Sequence, residues 1–158
     1  MTHNITVYTD GASQGNPGPG GYGIVLISGK HRKEISEGFK LTTNNRMELL
    51  AVIVALESLK TENCNVQVYT DSRYVVDAVE KKWLFQWEKQ GFKKKKNPDL
   101  WMRFLRIYNN HNVKINWIKG HNNHPENEKC DRMAVSAANS NMLKTDEGYI
   151  NENENKIF

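Results

Sequence analysis

Two short segments of this chain share one pattern, and that repeat constrains the fold more than any other feature. Residues 7–11 read Val-Tyr-Thr-Asp-Gly, and residues 68–72 read Val-Tyr-Thr-Asp-Ser. Each has the character of a short strand, and each places an aspartate in front of a turn. In open α/β sheets, ligands bind beyond the carboxyl ends of the strands. If the two strands are adjacent and parallel, Asp10 and Asp71 therefore meet at one edge of a sheet.

The remaining strands and helices predict how that sheet is completed. Five strands are predicted, over residues 3–9, 22–28, 33–39, 66–70 and 113–117. The first three have short connections and form an antiparallel meander, with a Gly- and Pro-rich turn over 11–21. The later strand–helix–strand units imply right-handed crossovers and a parallel part. The sequence thus predicts an α/β fold with a mixed five-stranded sheet and helices on both faces.

One acidic residue interrupts the most apolar segment of the chain. Residues 47–56 are apolar except for Glu48, which predicts a helix buried on more than one face. Glu48 could lie at the helix start and reach water, where an acid favours the helix dipole. Alternatively it shares a polar pocket with Asp10 and Asp71, and the repulsion of three carboxylates requires a cation. Oxygen ligands favour Mg²⁺ or Mn²⁺, and such clusters suit phosphodiester cleavage by two metal ions.

The positive charge of the chain is concentrated in one segment. The net charge is +4, but residues 81–96 contain seven lysines and one acid, so this stretch carries +6 and the remainder −2. Aromatic residues are interleaved with these lysines, among them Trp83, Trp87 and Phe92. The combination is typical of a nucleic-acid-binding patch. A solvated basic helix whose aromatic residues pack internally would show the same pattern.

Other features limit the class of protein. The segment after Asp10 lacks the Gly-Lys-[Ser/Thr] ending of a phosphate-binding P-loop, and an aspartate at a strand end is often only a turn former. No run of eighteen apolar residues and no secretory signal is found, so we expect a cytoplasmic location and no membrane span. Cys64 and Cys130 lack metal-ligand spacing. Residues 143–158 are polar and predict a flexible tail.

Five segments, taken together and in order, resemble the signatures of bacterial ribonuclease H type 1. They are Asp10-Gly11 with residues 15–23, then residues 42–48, 70–72, 119–121 and 130–131. The resemblance implies a ribonuclease H-like fold over residues 1–142. It also implies an endonuclease that hydrolyses the RNA strand of RNA–DNA hybrids and leaves 5′-phosphate and 3′-hydroxyl ends.

The resemblance assigns roles to particular residues of this chain. It implies that two Mg²⁺ ions, or Mn²⁺ in their place, are bound with substrate by Asp10, Glu48, Asp71 and Asp131. It implies that His121 takes part in proton transfer or product release, and this residue lies on a loop rich in Gly, Asn and Pro that can move during turnover.

The resemblance also implies how the hybrid is held. Residues near the minor groove, the DNA phosphates and the basic protrusion (residues 81–101) form the implied substrate-binding set: Asn16, Thr43, Asn44, Asn45, Arg73, Trp83, Trp87, Phe92, Lys93 and Lys94. Two of these depart from the family pattern, since Phe92 stands in place of tryptophan and Arg73 in place of glutamine. Because Arg73 has no acceptor, any base contact there would differ.

Two other functions share some of these features. Another nuclease of the superfamily, such as a junction resolvase or an integrase core, would also carry the acids, but the protrusion and the Asn-rich second signature argue against it. A catalytically silent hybrid-binding module would have little reason to concentrate negative charge facing phosphates. The short chain favours a free-standing monomeric enzyme over a domain of a reverse transcriptase.

Overall fold

The computed structural model describes residues 3–154, which form one six-stranded sheet and six helices. The strands are β1 (Asn4–Ser13), β2 (Gly18–Ser28), β3 (His31–Thr42), β4 (Asn65–Thr70), β5 (Asn112–Trp117) and β6 (Leu143–Lys144). The helices are α1 (Asn44–Glu57), α2 (Arg73–Glu80), α3 (Trp83–Lys89), α4 (Pro98–Tyr108), α5 (Pro125–Ala138) and α6 (Glu147–Glu154). None of the helices in this range is long and apolar enough to cross a membrane.

The sheet is mixed, with strand order β5-β4-β1-β2-β3-β6. The first three strands form the predicted antiparallel meander, while β4 runs parallel to β1 and β5 runs parallel to β4. The two repeated segments are neighbours in register, because Val7 is paired with Val68 and Tyr8 with Tyr69. The prediction of a mixed α/β sheet is confirmed, but its strand count of five omits β6, a two-residue strand beside β3.

Helices cover both faces of the sheet, as predicted. Helix α1 packs on β1 and β2, with α4 against its outer side, and α5 packs on the opposite face across β1, β2 and β3. Residues 46–53 of α1 are all buried, which agrees with the predicted helix buried on more than one face. Thr43 caps the N-terminus of this helix, and its hydroxyl accepts a hydrogen bond from the backbone N–H of Arg46.

The Gly- and Pro-rich segment forms strand where the sequence predicts a long turn. β1 continues to Ser13 and β2 begins at Gly18, so only residues 14–17 connect them. Gly21 and Gly23 lie beneath α5, and a Cβ atom at either position would overlap the backbone carbonyl oxygens of that helix. The glycines therefore allow α5 to lie close on the sheet. These glycines are needed for close packing of a helix on a strand. In the sequence, such glycines look the same as the glycines of a turn.

Residues 143–154, part of the segment that the sequence predicts as a flexible tail, contain a strand and a helix, while residues 155–158 lie outside the described part of the chain. β6 pairs with β3, and α6 follows it. Between them, buried Asp146 accepts hydrogen bonds from Thr42 and from the guanidinium of Arg46, at 2.7–2.9 Å. Asp146 thus forms a buried ion pair with Arg46 of α1, and we infer that residues 143–154 belong to the same domain as residues 3–142.

Candidate active site and nucleic-acid interface

Three acidic side chains meet at the edge of the sheet where β1 and β4 lie side by side. Asp10 lies in β1, Asp71 directly follows β4, and Glu48 is supplied by α1. One carboxylate oxygen of each lies within 4.8 Å of the other two. Glu48 is only 4% exposed, so it does not reach water from the helix start. The structure therefore brings together the three acids that the sequence singled out for a shared pocket.

Glycine at position 11 determines how closely α1 approaches β1. A Cβ atom at Gly11 would overlap the backbone of Met47 and Glu48. The Gly11 N–H donates to Glu48 Oε1 at 2.6 Å and to Asp10 Oδ1 at 2.9 Å. The second oxygen of Glu48, Oε2, is buried and has no hydrogen-bond partner among residues 3–154. Since a buried carboxylate oxygen without a partner is costly, this donor set fits a divalent cation.

The crowding of these carboxylates raises their pKa values. Burial raises the pKa of Asp10 to about 7, and the charges of Asp71 and Asp131 add to that effect. Burial also raises the pKa of Glu48 well above its usual value, and the charge of Asp10 raises it further. The pKa of Asp71 is raised in the same direction, mainly by its own burial. A cation that binds here must therefore compete with protons.

Asp131 and His121 complete the wall of the same cavity. Asp131 lies in α5 and His121 in the loop between β5 and α5, and both line the open cavity of about 490 Å³ that contains the three acids. Asp131 is not one of the trio within 4.8 Å, yet its charge raises the pKa of Asp10 and Asp71. A Cβ atom at Gly120 would lie 2.5 Å from Oδ2 of Asp71, so this loop passes directly beside the Asp71 carboxylate, and its next residue, exposed His121, lines the cavity.

The polar residues implied to contact substrate are divided between two neighbouring cavities. Asn44, Asn45 and Arg73 line the cavity with the acids. Asn16 and Thr43 line a smaller cavity of about 190 Å³, which Asn45 also borders. The side chain of Asn16 accepts a hydrogen bond from the Asn44 N–H at 3.0 Å, which fixes the turn after β1 against the start of α1.

The basic protrusion presents only some of its aromatic residues to the surface. Trp83 is 44% exposed, and Trp87 is half-buried against Trp101 with the ammonium of Lys95 over its ring. Phe92 is only 9% exposed and packs in the hydrophobic core. The ring therefore supports the protrusion from inside, and the substrate contact implied for Phe92 stays a prediction. The lysines, including Lys93 and Lys94, are exposed.

The structure adds one residue to the site that the sequence identified only as part of a strand. Trp117 ends β5, and its indole Nε1–H donates to the backbone carbonyl of Asp71 at 3.1 Å. The Cζ atom of Arg73 lies 3.9 Å from the centre of the Trp117 ring. The available signal was an exposed aromatic residue at the end of a strand parallel to the one that precedes Asp71.

Comparison with known proteins identifies similar chains over nearly the whole length. A family model described as RNase H matches residues 2–139. Ribonuclease H of Desulforamulus reducens is 59% identical over 147 residues, which cover 90% of this chain and 92% of the relative. Ribonuclease H of Rippkaea orientalis is 54% identical over 153 residues, with 94% and 93% covered.

Solved structures agree with this comparison. LC9-RNase H1, described as a type 1 RNase H with the type 2 active-site motif, has a TM-score of 0.80 and 34% identity, over 87% of this chain and 73% of that one. LC11-RNase H1, solved in complex with an RNA/DNA hybrid, has a TM-score of 0.62 and 29% identity, over 85% and 96% of the two chains. The fold and the sequence signatures thus lead to the same family.

Proposed function

The chain belongs to the RNase H family, and from that membership we propose that it hydrolyses the RNA strand of RNA–DNA hybrids as an endonuclease. The observation that carries the proposal is the group of three carboxylates in a cavity lined by Asn44 and Asn45. The similar protein LC11-RNase H1 binds an RNA/DNA hybrid in its solved structure, and the curated relatives carry the name Ribonuclease H.

We propose that the acidic cluster holds two Mg²⁺ ions when substrate is bound, with Mn²⁺ as a substitute. Asp10, Glu48 and Asp71 would supply the central ligands, and Asp131 would supply a further one from α5. When bound, such ions activate a water for attack on phosphorus and stabilise the departing 3′ oxygen. The unpartnered Oε2 of Glu48 and the all-oxygen donor set support this assignment.

The side chains and backbone of the protein would orient the metal-binding carboxylates and move protons. The Gly11 N–H fixes the Glu48 carboxylate, and the raised pKa values ensure that the cluster releases protons when a cation enters. His121, which lines the same cavity as Asp71, is positioned to take up or deliver a proton during turnover. Cleavage at the 3′ oxygen leaves 5′-phosphate and 3′-hydroxyl ends.

Hybrid recognition is assigned to two surfaces. The amides of Asn16, Asn44 and Asn45 can donate and accept, which suits the 2′-hydroxyls that distinguish RNA from DNA. Thr43 is assigned to a DNA phosphate, and the lysines of the basic protrusion to further phosphates of the same strand. Such phosphate contacts are largely independent of base sequence and weaken with salt.

The experiment is a cleavage assay on one labelled RNA sequence presented as a hybrid, as single-stranded RNA, as double-stranded RNA and beside a DNA four-way junction. We expect cleavage of the hybrid alone, in Mg²⁺ or Mn²⁺, and none in chelator. The downstream product should accept a 5′ label from a polynucleotide kinase only after phosphatase treatment, and the upstream product should be extended from its 3′ end by a polymerase. Equal cleavage of single-stranded RNA would contradict hybrid specificity, and cleavage of the junction would favour a resolvase.

A monomeric state and a cytoplasmic location stay predictions from the sequence. The described part of the chain contains no membrane-spanning helix. Light scattering on the purified protein, with a mass near the 18.2 kDa of one chain, is the result expected for a monomer.

A further inference from the structure

A single arginine lies on the wall of the acidic cavity without neutralising it. Arg73 is the first residue of α2, is exposed, and lines the same cavity as Asp10, Glu48 and Asp71. None of the ion pairs found among residues 3–154 includes Arg73. The charges that most affect the pKa values of the three acids are those of neighbouring aspartates and His121, and not that of Arg73. The guanidinium therefore keeps its donors free within a negatively charged site.

The position of Arg73 is unfavourable for the helix that contains it. A cation in the first turn opposes the helix dipole, and Ser72 already caps α2 through its hydroxyl. A stabilising role in the helix thus does not explain the residue.

Trp117 holds the guanidinium in place from the neighbouring strand. The Cζ atom of Arg73 lies 3.9 Å from the ring centre, a cation–π contact at close range. The indole N–H of the same tryptophan donates to the backbone carbonyl of Asp71. Trp117 therefore contacts both the Arg73 guanidinium and the backbone of Asp71, one of the three acids of the cluster. A guanidinium that already packs on the ring loses less conformational entropy when substrate binds.

We propose that Arg73, positioned by Trp117, is a substrate-binding residue that contacts a backbone phosphate of the strand occupying the acidic cavity, next to the bond that is cut. This inference rests on the proposed function. A nucleic-acid phosphate approaching three carboxylates is repelled, and a fixed guanidinium beside them offsets that repulsion. Arg73 binds the substrate and Trp117 is a positioning residue that acts through it.

The test compares Arg73→Gln with the wild type in two measurements across a series of NaCl concentrations. The first is binding to a fluorescent RNA–DNA hybrid in chelator, followed by anisotropy, and the second is KM and kcat in Mg²⁺. Each phosphate contact contributes about 0.9 to the slope of log affinity against log salt. We expect Arg73→Gln to flatten that slope by about one such contact and to raise KM several-fold. The value of kcat should change much less than KM.

Two matched variants separate the charge from the stacking. Arg73→Lys keeps the positive charge, so it should retain the salt slope while it binds more weakly, because the planar contact with the indole is lost. Arg106→Gln makes the same change at an exposed position in α4 outside the cavity, and it should behave as the wild type. An effect of Arg106→Gln equal to that of Arg73→Gln would overturn the proposal.

The role of Trp117 is tested by a double-mutant cycle. Trp117→Phe keeps an aromatic ring but removes the donor to Asp71, and Trp117→Leu removes the ring as well. We expect Trp117→Leu to weaken hybrid binding in the wild type and to have little further effect in Arg73→Gln. If Trp117→Leu does not fold, as judged by circular dichroism, the cycle is run with Trp117→Phe, whose ring makes a weaker cation–π contact, and we expect a smaller loss of binding that again disappears in Arg73→Gln. Strict additivity of the two changes would overturn the positioning role.

The outcomes also separate this inference from the proposed function. If the wild type neither binds nor cleaves a hybrid, the proposed function fails. If it does both and Arg73→Gln leaves the salt slope unchanged, only the inference about Arg73 fails. A change in the preferred cleavage sequence without a change in salt slope indicates a base contact, and that result also overturns the phosphate assignment.

Discussion

At the scale of single residues, Asp10 connects the acidic cluster to the sheet. Replacing it with asparagine removes one negative charge and preserves the shape of the side chain. We expect Asp10→Asn to lower the rate of hybrid hydrolysis by more than about a hundredfold. Changing a residue that only hydrogen-bonds to a metal ligand already costs up to about a hundredfold, and a ligand itself should cost more. Hybrid binding should persist, because the protrusion and the Asn residues are unchanged. Cleavage and anisotropy assays on the same preparation measure both.

The matched control for Asp10→Asn is Asp77→Asn, the same change in α2 at a residue whose ion pair within residues 3–154 is with exposed Lys81. This variant should cleave at the wild-type rate. A near-normal rate for Asp10→Asn would contradict the proposed role of Asp10 as a metal ligand.

The raised pKa of Asp10 gives a pH dependence with a definite sign. In the metal-free protein burial raises this pKa to about 7, whereas in the unfolded chain it is near 3.8. The folded state therefore binds more protons between these two values, and its free energy of unfolding falls as pH rises through that window. Glu48 and Asp71, whose pKa values are also raised, act in the same direction. In chelator the protein should thus be more stable near pH 5 than near pH 8.

Asp10→Asn isolates this effect. One pKa unit corresponds to about 1.4 kcal/mol, and because neighbouring acids share the shift, we expect the variant to be more stable than wild type by on the order of 2 kcal/mol at pH 8. The gain should shrink as pH falls toward 4, and Mg²⁺ should stabilise the wild type more than the variant. Urea unfolding at several pH values, with and without Mg²⁺, measures these differences. A gain that is independent of pH would contradict the assignment to ionisation.

Individual residues of the site differ in how far the sequence identified them. Asp10 and Asp71 follow from the repeated strand pattern, and Glu48 follows from its place in an apolar helix. Asp131 followed only from family resemblance, because an acid in an amphipathic helix has no distinctive local pattern. Trp117 was missed as a functional residue, since its contacts with Arg73 and Asp71 depend on the pairing of β4 with β5.

At the scale of secondary-structure elements, the predictions succeed where apolar and polar side chains follow a regular period, and they fail where glycines interrupt that pattern. The antiparallel meander, the buried α1 and the parallel strands are confirmed. The sequence predicts a turn for residues 18–21, the start of β2, because Gly18, Gly20 and Gly21 carry no side chain to show a period of two. The requirement for glycine at position 21 comes from α5, which lies against this part of the sheet, and no local sequence pattern reveals it. β6 escaped prediction because two residues are too few to show periodicity.

The C-terminal elements are held by a buried ion pair. Arg46 is only 1% exposed, and it donates to the carboxylates of Asp146 and Asp99 at 2.8–2.9 Å. Asp146→Asn removes one of these two carboxylates, so the guanidinium keeps only its ion pair with Asp99. Breaking a buried pair costs about 3–5 kcal/mol, and since Asp99 remains, we expect about 3 kcal/mol, measured by urea unfolding. Asp77→Asn breaks an exposed pair and should cost less than about 1 kcal/mol. Equal losses in the two variants would show that the pair does not secure β6 and α6.

At the scale of the whole molecule, opposite charges are separated between two surfaces. The acids lie where β1 and β4 meet α1, whereas the lysines project from the protrusion between α3 and α4. The chain was correctly expected to have this asymmetry, because the +6 of residues 81–96 is visible in the sequence. A hybrid that spans both surfaces would place the phosphates of one strand on the lysines and the other strand over the acids. Binding and chemistry should then respond to different substitutions.

Replacing Lys93, Lys94, Lys95 and Lys96 with alanine tests that separation. These side chains are exposed and lie outside the acidic cavity, so their removal should raise KM and leave kcat within about twofold, as expected when binding to substrate and transition state is lost equally. The salt slope should flatten by about 0.9 for each lysine that contacts a phosphate. The matched control removes four lysines elsewhere, Lys30, Lys33, Lys60 and Lys129, and changes the net charge equally. Because long-range attraction depends on total charge while contacts depend on position, the control should alter the slope far less. Equal flattening in both variants would mean that the protrusion attracts the hybrid only through its charge and does not bind it.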